Sequence, residues 1–445
     1  MRLEASFAVT AAAADIVEFQ RLTDHLDAEW IVQALEATGT ATVRHRRLPA
    51  EQVIWLVLGM ALMRDEPIVE VAKRLDLALP SKRSRTVAPS AIPAARRRLG
   101  PEPIEWLFAR SAAEWAHASA AARPWRGLAL YGVDGTTLRV PDSATNRAAF
   151  GGQSAGAAGR GDSGYPMVRL TALMALRSHL LAGASFGPYA VDEREYAADL
   201  WALIPDHSLT LFDRGFLQAN VLVPLRSTGV ERHWLTRAKS TSKWAVIETL
   251  AKGDVLVEMT VSSEARKKDP SLPQRFRCRV IEYRRAGHEP QRLITSLLDP
   301  VAYPAKELVA LYHERWEMEL AYDEIKTTVL QRQECIRSQS PDGVRQEIWG
   351  ILLTYNLVRL EMERVADSIG IEPRQISFIA SLRALRYHWV MTAGISPGNL
   401  PRYLGEVREE LSGFLLPPRR DRTYPRAVKI KMSNYPRNRR GGRLK

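Results

Sequence analysis

The chain has 445 residues, 46% of them hydrophobic and 25% charged, which is typical of a globular protein with roughly two to four packed units. Its longest apolar run, Val53 to Met63, is shorter than the about 20 residues of a membrane-spanning helix. Its two cysteines exclude a disulfide framework and a C-x-x-C zinc site, so we expect a cytoplasmic protein. Because the longest apolar run is too short to span a bilayer, we also expect no membrane partner. The net charge of +13 is concentrated in residues 417–445, which hold eleven Lys and Arg against one acid. Such a tail is typical of an arm that binds polyanions, with a merely solvated tail as the alternative.

The first part of the chain has helical patterns. Asp27 is placed to cap the stretch EWIVQALEATG, and Gly39 is placed to end it. Pro49 opens the next helix, which contains the long apolar run, and Ile68 to Leu79 repeats the apolar period. We predict an all-α N-terminal domain over residues 1–120.

A basic segment closes this helical part. Residues 81–98 hold six basic side chains and no acid, and Ser90 is placed to cap a short helix that carries Arg96, Arg97 and Arg98. A short helix with an arginine cluster suits a DNA groove. A solvated helix face explains the spacing equally well, and both interpretations stay open.

The next part has the patterns of β-strands. The segment GLALYGVDGTTLRVPD predicts a strand, a turn at Asp134-Gly135 and a second strand. Further along we predict a strand at Val168 to Leu181, a short helix at Glu193 to Ile204 and a strand that ends at Asp213.

Residues 232–298 alternate with a period of two in DVLVEMTVS, RFRCRVIEYR and QRLITSLLD, which predicts three strands. In the second of these, Arg275, Arg277 and Arg279 share one face. After them we predict helices at Lys306 to Leu330, Arg345 to Ala366 and Ile376 to Met391.

Two acidic residues follow apolar strands at glycine-containing turns, Asp134 in GVDGT and Asp213 in LFDRGF. Open α/β sheets place their chemistry at such strand ends. A pair of carboxylates there suits Mg²⁺, which prefers few protein ligands and retains waters. Each aspartate alone fits a structural turn residue at least as well.

A third acid lies in LYHERWEMELAYDEIKTTV. Tyr312, Glu319 and Lys326 are seven residues apart and therefore fall on one stripe of a regular helix, with Arg315 close to the same face. A carboxylate suits a metal, and the flanking donors suit phosphate oxygens. An exposed helix with ion pairs, in which Asp323 rivals Glu319 as a ligand, is the alternative.

The ordered motifs resemble one family. The pattern Y-x2-R-x3-E-x6-K, the segment DGTTLRVPD with NRAAFG, and DRGF resemble the three acidic motifs of the insertion-sequence-4 family of DDE transposases. The stretches LDAEWIVQALEATGTATVRHRRLP and VAPSAIPAARRRLG resemble the N-terminal domain of that family. The resemblance therefore covers nearly the whole chain.

The resemblance implies an α/β fold with a ribonuclease H-like catalytic core over residues 121–365. A β-rich insertion at about 220–300 interrupts this core, and a helical C-terminal region with a basic tail follows over 366–445. It also implies a nucleoid-associated homodimer that pairs two transposon ends, with terminal inverted repeats and target DNA as partners.

The resemblance further implies the chemistry. Asp134, Asp213 and Glu319 would hold two Mg²⁺ ions, with Mn²⁺ as a substitute, while Tyr312, Arg315 and Lys326 would bind phosphates. Cut-and-paste transposition through 3′-OH release, a hairpin and strand transfer follows from this assignment. A protein that only binds DNA ends, or a metal-dependent nuclease without strand transfer, remains an alternative.

Related enzymes use an insertion-domain tryptophan to stack on a flipped base. The strand QRLITSLLD has no tryptophan. Trp234 and Trp244 are the candidates for this role, and core packing suits both of them better.

Overall fold

The computed structural model describes residues 26–41, 48–75, 88–152, 164–284, 289–331, 335–392 and 397–417. The basic tail after residue 417, most of the glycine-rich loop before Tyr165 and the basic residues at 82–85 lie outside these ranges. The fold is mixed α/β, with one large sheet packed against helices. Among the described residues, no helix has the length and apolar character needed to cross a membrane.

The regular elements are numbered in chain order. The helices are α1 Ala28–Ala37, α2 Ala50–Leu62, α3 Ile68–Arg74, α4 Ala91–Leu99, α5 Glu102–Ala122, α6 Ala144–Phe150, α7 Glu193–Ala198, α8 Ala219–Ser227, α9 Ser263–Lys268, α10 Ala305–Tyr312, α11 Trp316–Asp323, α12 Pro341–Ile369, α13 Phe378–Thr392 and α14 Leu400–Ser412. The strands are β1 Ala129–Arg139, β2 Met167–Ala175, β3 Leu181–Pro188, β4 Ser208–Phe212, β5 Arg232–Arg237, β6 Ala245–Ala251, β7 Asp254–Thr260, β8 Arg275–Tyr283 and β9 Gln291–Thr295.

All these strands form one sheet in the order β3-β2-β1-β4-β5-β9-β8-β7-β6. Strands β1, β4 and β5 are parallel to one another, and every other neighbouring pair is antiparallel. Because parallel strands end at the same edge of a sheet, the residues after β4 lie beside the second half of β1. The residues after β5 lie at the same edge, one strand further away.

The N-terminal helices form as their patterns predict. The Asp27 side chain accepts a 2.9 Å hydrogen bond from the backbone N–H of Glu29, and Gly39 follows α1 with a φ of 66°. In α2, every residue except Glu51 is buried, so the long apolar run is a core helix. It packs closely on α12, where a Cβ built at Gly350 would lie 2.5 Å from Cγ1 of Val57.

Three local predictions were wrong. No turn occurs at Asp134, because β1 runs through it and stays paired with β2, Asp134 opposite Ala172. The predicted strand at Val168 to Leu181 is instead two strands, β2 and β3, joined by a tight turn with His179 at a φ of 64°. Ser90 precedes α4 but makes no capping hydrogen bond with its side chain.

The predicted helix at Lys306 to Leu330 is helical throughout but irregular. Helix α10 passes through a 3₁₀ turn at His313–Arg315 into α11, which continues as a π-helix over Glu324–Val329. Since the number of residues per turn changes twice, positions seven apart do not form one straight stripe.

The alternating segments are strands β7, β8 and β9, as predicted, and they extend the same sheet through the pairing of β9 with β5. The face of β8 that carries its three alternating arginines is not uniform. Arg275 and Arg277 are exposed, whereas Arg279 is fully buried and donates a 2.7 Å hydrogen bond to Asp254. Burial of this arginine is stabilised by its pairing with a carboxylate.

Candidate active site

Asp134 lies on the part of β1 that extends past its pairing with β4. This pairing ends at Val133, so Asp134 is the first residue of β1 beyond it. Its carboxylate accepts a 2.8 Å hydrogen bond from the N–H of Gly135 and lies 3.8 Å from Arg315. Burial raises the pKa of Asp134 to about 6, with the negative charges of nearby acids adding to the rise.

Asp213 is the first residue after β4, beside β1. Its backbone carbonyl accepts a 3.2 Å hydrogen bond from the hydroxyl of Thr236 on β5. The carbonyl of the preceding Phe212 accepts a 3.1 Å hydrogen bond from the hydroxyl of Tyr312. Two neighbouring elements therefore hold the backbone on either side of this acid.

Glu319 lies on α11, which is docked onto β1. The hydroxyl of Tyr322 donates a 2.6 Å hydrogen bond to the carbonyl of Asp134, and a Cβ built at Gly132 would lie 2.8 Å from Cγ of Met318. The glycine thus permits a close approach of helix and strand. This docking places Glu319 near Asp134, with Arg315 between the two carboxylates.

The guanidinium of Arg315 connects two of the acids. It donates a 2.7 Å hydrogen bond to Glu319, and its other terminal nitrogen lies 3.8 Å from Asp134. Arg315 is largely buried, with 14% of its side chain exposed, so its charge is only partly screened by solvent. The carboxylates of Asp134 and Glu319 therefore share the one guanidinium of Arg315.

Glu193, at the start of α7, is a fourth acid at this edge. A Cβ built at Gly135 would lie 2.5 Å from its Oε2, and one built at Gly215 would lie 3.6 Å from its Oε1. The carboxylate therefore lies between the segments of Asp134 and Asp213. Burial, and then neighbouring negative charges, raise the pKa of Glu193. Sequence reasoning missed it, because a glutamate in the first turn of a helix carries no local signal of a site.

The donors have the chemistry of a Mg²⁺ site, although not its assembled geometry. Among the described residues, no group of three or more His, Cys, Asp and Glu is close enough to hold a metal ion. Asp134, Asp213 and Glu319 nevertheless supply the oxygen ligands that Mg²⁺ prefers. The guanidinium of Arg315 between two of them shows that this place accommodates positive charge. The chemistry of these donors therefore fits a divalent cation.

The phenol hydroxyl of Tyr312 is hydrogen-bonded inside the protein. The side chain is buried, and its hydroxyl is used by the carbonyl of Phe212. Its predicted contact with phosphate is therefore replaced by a role in positioning the end of β4. Lys326 is half-buried within the π-helical segment, so the uniform helix that would align it with Glu319 is absent.

Asp323, the rival to Glu319, is bonded to a neighbouring residue of its own helical segment. It is exposed, and its carboxylate accepts a 2.7 Å hydrogen bond from the hydroxyl of Thr327. Glu319, by contrast, shares Arg315 with Asp134. The geometry favours Glu319 as the acid of this helix.

The arginines of α4 have different environments. Arg96 donates hydrogen bonds to Gln346 at 2.8 Å and Ser338 at 3.0 Å, and burial lowers its pKa. Arg97 and Arg98 are exposed. We therefore assign Arg96 to the contact between α4 and α12, because a guanidinium bonded inside the protein cannot reach base edges.

The two candidate stacking residues both pack within the protein. Trp234 on β5 is almost fully buried, with its ring 6.5 Å from that of Phe276. Trp244 is half-buried, and the guanidinium of Arg292 lies 5.4 Å above its ring. Both rings therefore pack against other side chains of the fold.

Comparisons with known proteins agree with the motifs. The model of the insertion element 4 transposase N-terminal region matches residues 16–109, and that of the transposase DDE domain matches residues 127–357. The transposase InsG for insertion sequence element IS4 of Escherichia coli strain K12 is 39% identical over 416 residues, 93% of each chain. The protein InsZ of the same strain is 39% identical over 220 residues, 49% of this chain and 71% of that one.

Among solved structures, the chain is similar to the piggyBac transposase synaptic complex with hairpin DNA. The TM-score is 0.41 at 13% identity, over 91% of this chain and 85% of that chain. At this score the likeness carries no argument about the site.

Proposed function

The chain belongs to the insertion element 4 family of DDE transposases, and on this premise we propose that it cuts and joins DNA at the ends of an insertion sequence. The observation that carries the proposal is the gathering of acids at one sheet edge. Asp134 and Glu319 share the guanidinium of Arg315, and Asp213 ends the strand next to β1. A cluster of carboxylates with an arginine suits the binding of a phosphodiester together with metal cations.

We assign the five neighbouring strands β3, β2, β1, β4 and β5 of the sheet to a ribonuclease H-like core. Strands β6 to β9, residues 245–295, form the insertion that separates Asp213 from Glu319. Helices α1 to α5 form the N-terminal domain, and the segment from residue 366 onward forms the C-terminal region. In this layout the basic tail binds phosphates without regard to sequence, since its charge is not combined with an apolar pattern.

In the proposed site Asp134, Asp213 and Glu319 would hold two Mg²⁺ ions. When bound, the two ions activate the attacking oxygen and stabilise the leaving oxygen of an in-line phosphoryl displacement, and Mn²⁺ serves as a substitute. Tyr312 and Tyr322 hold the backbones of Phe212 and Asp134, so the carboxylates keep their separation during the reaction.

The proposed reaction has two kinds of step. In the first, water attacks phosphorus at the transposon end, the bond to the 3′ oxygen breaks, and that oxygen leaves as a 3′-OH. In the second, a 3′-OH attacks a phosphorus of the opposite strand, which forms a hairpin, or of target DNA, which joins the two. In both cases the bond from that phosphorus to the 3′ oxygen of the attacked strand breaks, and this oxygen leaves as a new 3′-OH. Arg315, released from Glu319, and Lys326 neutralise the phosphates.

The proposed partners are duplex DNA and a second copy of the chain. A pair of transposon ends needs two sites, so we propose that a homodimer assembles on terminal inverted repeats before it binds target DNA. Arg97 and Arg98 on α4 are the exposed cations with which a rigid helix would read the end.

Incubating the purified protein with Mg²⁺ and a labelled duplex of the flanking repeat tests the proposal. We expect 3′-OH release at the repeat boundary and joined products with a target plasmid. Cleavage without joined products would support a nuclease, and binding without cleavage would support a protein that only binds ends. The E319Q variant is the control for contaminating nucleases, because it lacks one proposed metal ligand.

A further inference from the structure

A cavity opens beside Asp213, at the end of β4. Asp213 follows β4 and Lys239 follows β5, and because these strands are parallel both residues lie at the same edge. Together with Arg214, Gly215 and Ser240 they line a cavity of about 380 Å³. The cavity is therefore continuous with the proposed active site through Asp213.

The cavity contains two cations, Arg214 and Lys239, beside the single carboxylate of Asp213. Arg214 is exposed and Lys239 is half-buried, and in the described part of the chain neither forms a salt bridge. Arg194, which is near Lys239, is already paired bidentately with Asp192. Partial burial, and then the charges of Arg194 and Arg214, lower the pKa of Lys239.

A further anion bound in the cavity would stabilise this arrangement. Like charges held together in a partly desolvated place repel one another, and a bound anion reverses the sign of that interaction. Lys239 supplies a compact ammonium on a flexible chain, and Arg214 supplies a planar set of donors. Phosphate oxygens accept hydrogen bonds from both groups.

We propose that Arg214 and Lys239 bind the non-bridging oxygens of a phosphodiester next to the one that is cut. This inference rests on the proposed function, because it takes the DNA strand to pass over Asp134 and Asp213. Arg315 then lies on one side of the cut phosphate, and the Arg214–Lys239 pair lies on the other. The pair fixes the register of the strand by its backbone and makes no contact with bases.

The test combines protein variants with DNA in which one phosphate at a time is replaced by an uncharged methylphosphonate. Binding of a fluorescent duplex of the transposon end is measured by anisotropy in the absence of divalent metal. We expect one position near the cut at which the methylphosphonate weakens binding to the wild-type protein by roughly tenfold or more, as expected for a charged hydrogen bond.

The K239Q and R214Q variants should bind natural DNA more weakly by a similar factor, and at that one position the methylphosphonate should weaken their binding no further. K252Q is the matched control, because Lys252 is exposed in the turn between β6 and β7 and its loss changes the net charge equally. It should keep the full effect of the methylphosphonate. K239R, which keeps the charge, should behave as the wild type.

The inference is overturned if K239Q and R214Q stay as sensitive as the wild type to every methylphosphonate, or if K252Q weakens binding equally. Thermal unfolding checks that each variant folds. If K239Q does not fold, the exposed Arg214 still provides the comparison. Failure of the wild-type protein to bind the end at all would instead contradict the proposed function.

Discussion

The guanidinium of Arg315 donates a 2.7 Å hydrogen bond to the carboxylate of Glu319, four residues further along the chain. The same guanidinium lies 3.8 Å from Asp134 on β1. Arg315 therefore occupies the space between two acids that we propose as metal ligands. We propose that a cation bound at Glu319 displaces this hydrogen bond and frees Arg315 for a phosphate.

Replacement of Glu319 by glutamine should stop cleavage and leave binding of the transposon end largely intact. Loss of a partner behind a metal ligand typically costs about 10–100-fold in activity, and loss of a ligand itself should cost more. Cleavage of an end duplex in Mg²⁺ and anisotropy without metal measure the two effects. D323N is the matched control, since Asp323 is exposed and bonded to Thr327. An inactive D323N beside an active E319Q would reverse our choice of ligand.

Replacement of Tyr312 by phenylalanine should lower the free energy of unfolding by about 1–3 kcal/mol, because it leaves the buried carbonyl of Phe212 without its donor. The salt dependence of DNA binding should not change, since the hydroxyl is not available to phosphates. Urea unfolding and binding at several salt concentrations measure these effects. Y165F, at an exposed tyrosine, should change stability by less than about 0.5 kcal/mol. A flatter salt dependence in Y312F would restore its predicted contact with phosphate.

Acid should destabilise the protein through Glu324. Burial alone would raise the pKa of Glu324, but Arg359 and His179 outweigh it and lower the pKa to about 2. A lowered pKa means that this carboxylate stabilises the fold above about pH 4.5 and that the stabilisation is lost as the pH falls towards 2. The contribution is roughly 3 kcal/mol at neutral pH, at about 1.4 kcal/mol per pH unit.

Urea unfolding of the wild type and of E324Q between pH 7 and pH 3 checks this prediction. The variant should be less stable at pH 7 and should lose less stability on acidification than the wild type. E248Q, at an exposed position on β6, should follow the wild type at each pH. Equal acid dependence of wild type and E324Q would show that other carboxylates control acid unfolding.

The arginines of α4 should separate into a structural residue and a reading residue. R96A removes hydrogen bonds to Gln346 and Ser338 and should cost about 1–3 kcal/mol of stability. R97A should leave stability within about 0.5 kcal/mol and reduce the preference for the end over scrambled DNA by about 1–3 kcal/mol. Urea unfolding and competitive binding measure the two variants. An R97A protein with unchanged preference would remove α4 from end recognition.

Local sequence patterns determined much of the secondary structure. Asp27 caps α1 because its side chain reaches an N–H only two residues away. The alternation of β7, β8 and β9 reflects a period that each strand carries within itself. Such features need only near neighbours, so a single sequence is enough to predict them.

The acids of the site were named from their motifs, but the sequence did not reveal how they are arranged. The stripe argument assumed a regular helix, and the 3₁₀ turn before Glu319 and the π-helix after it change the spacing. The sheet, through the pairing of β1 with β4, places Asp134 beside Asp213. Register between strands depends on distant partners, which local periodicity does not contain.

The sequence by itself determined the family, the three acidic motifs and most helices and strands, because these depend on residue order and on short-range periods. Only the tertiary structure decided that Glu193 joins the acids, that Arg96 turns inward, and that Lys239 lies beside Asp213. In each case the deciding partner is far along the chain. Burial and electrostatic interaction act through space, so the role of a charged side chain is set by the neighbours that folding brings to it.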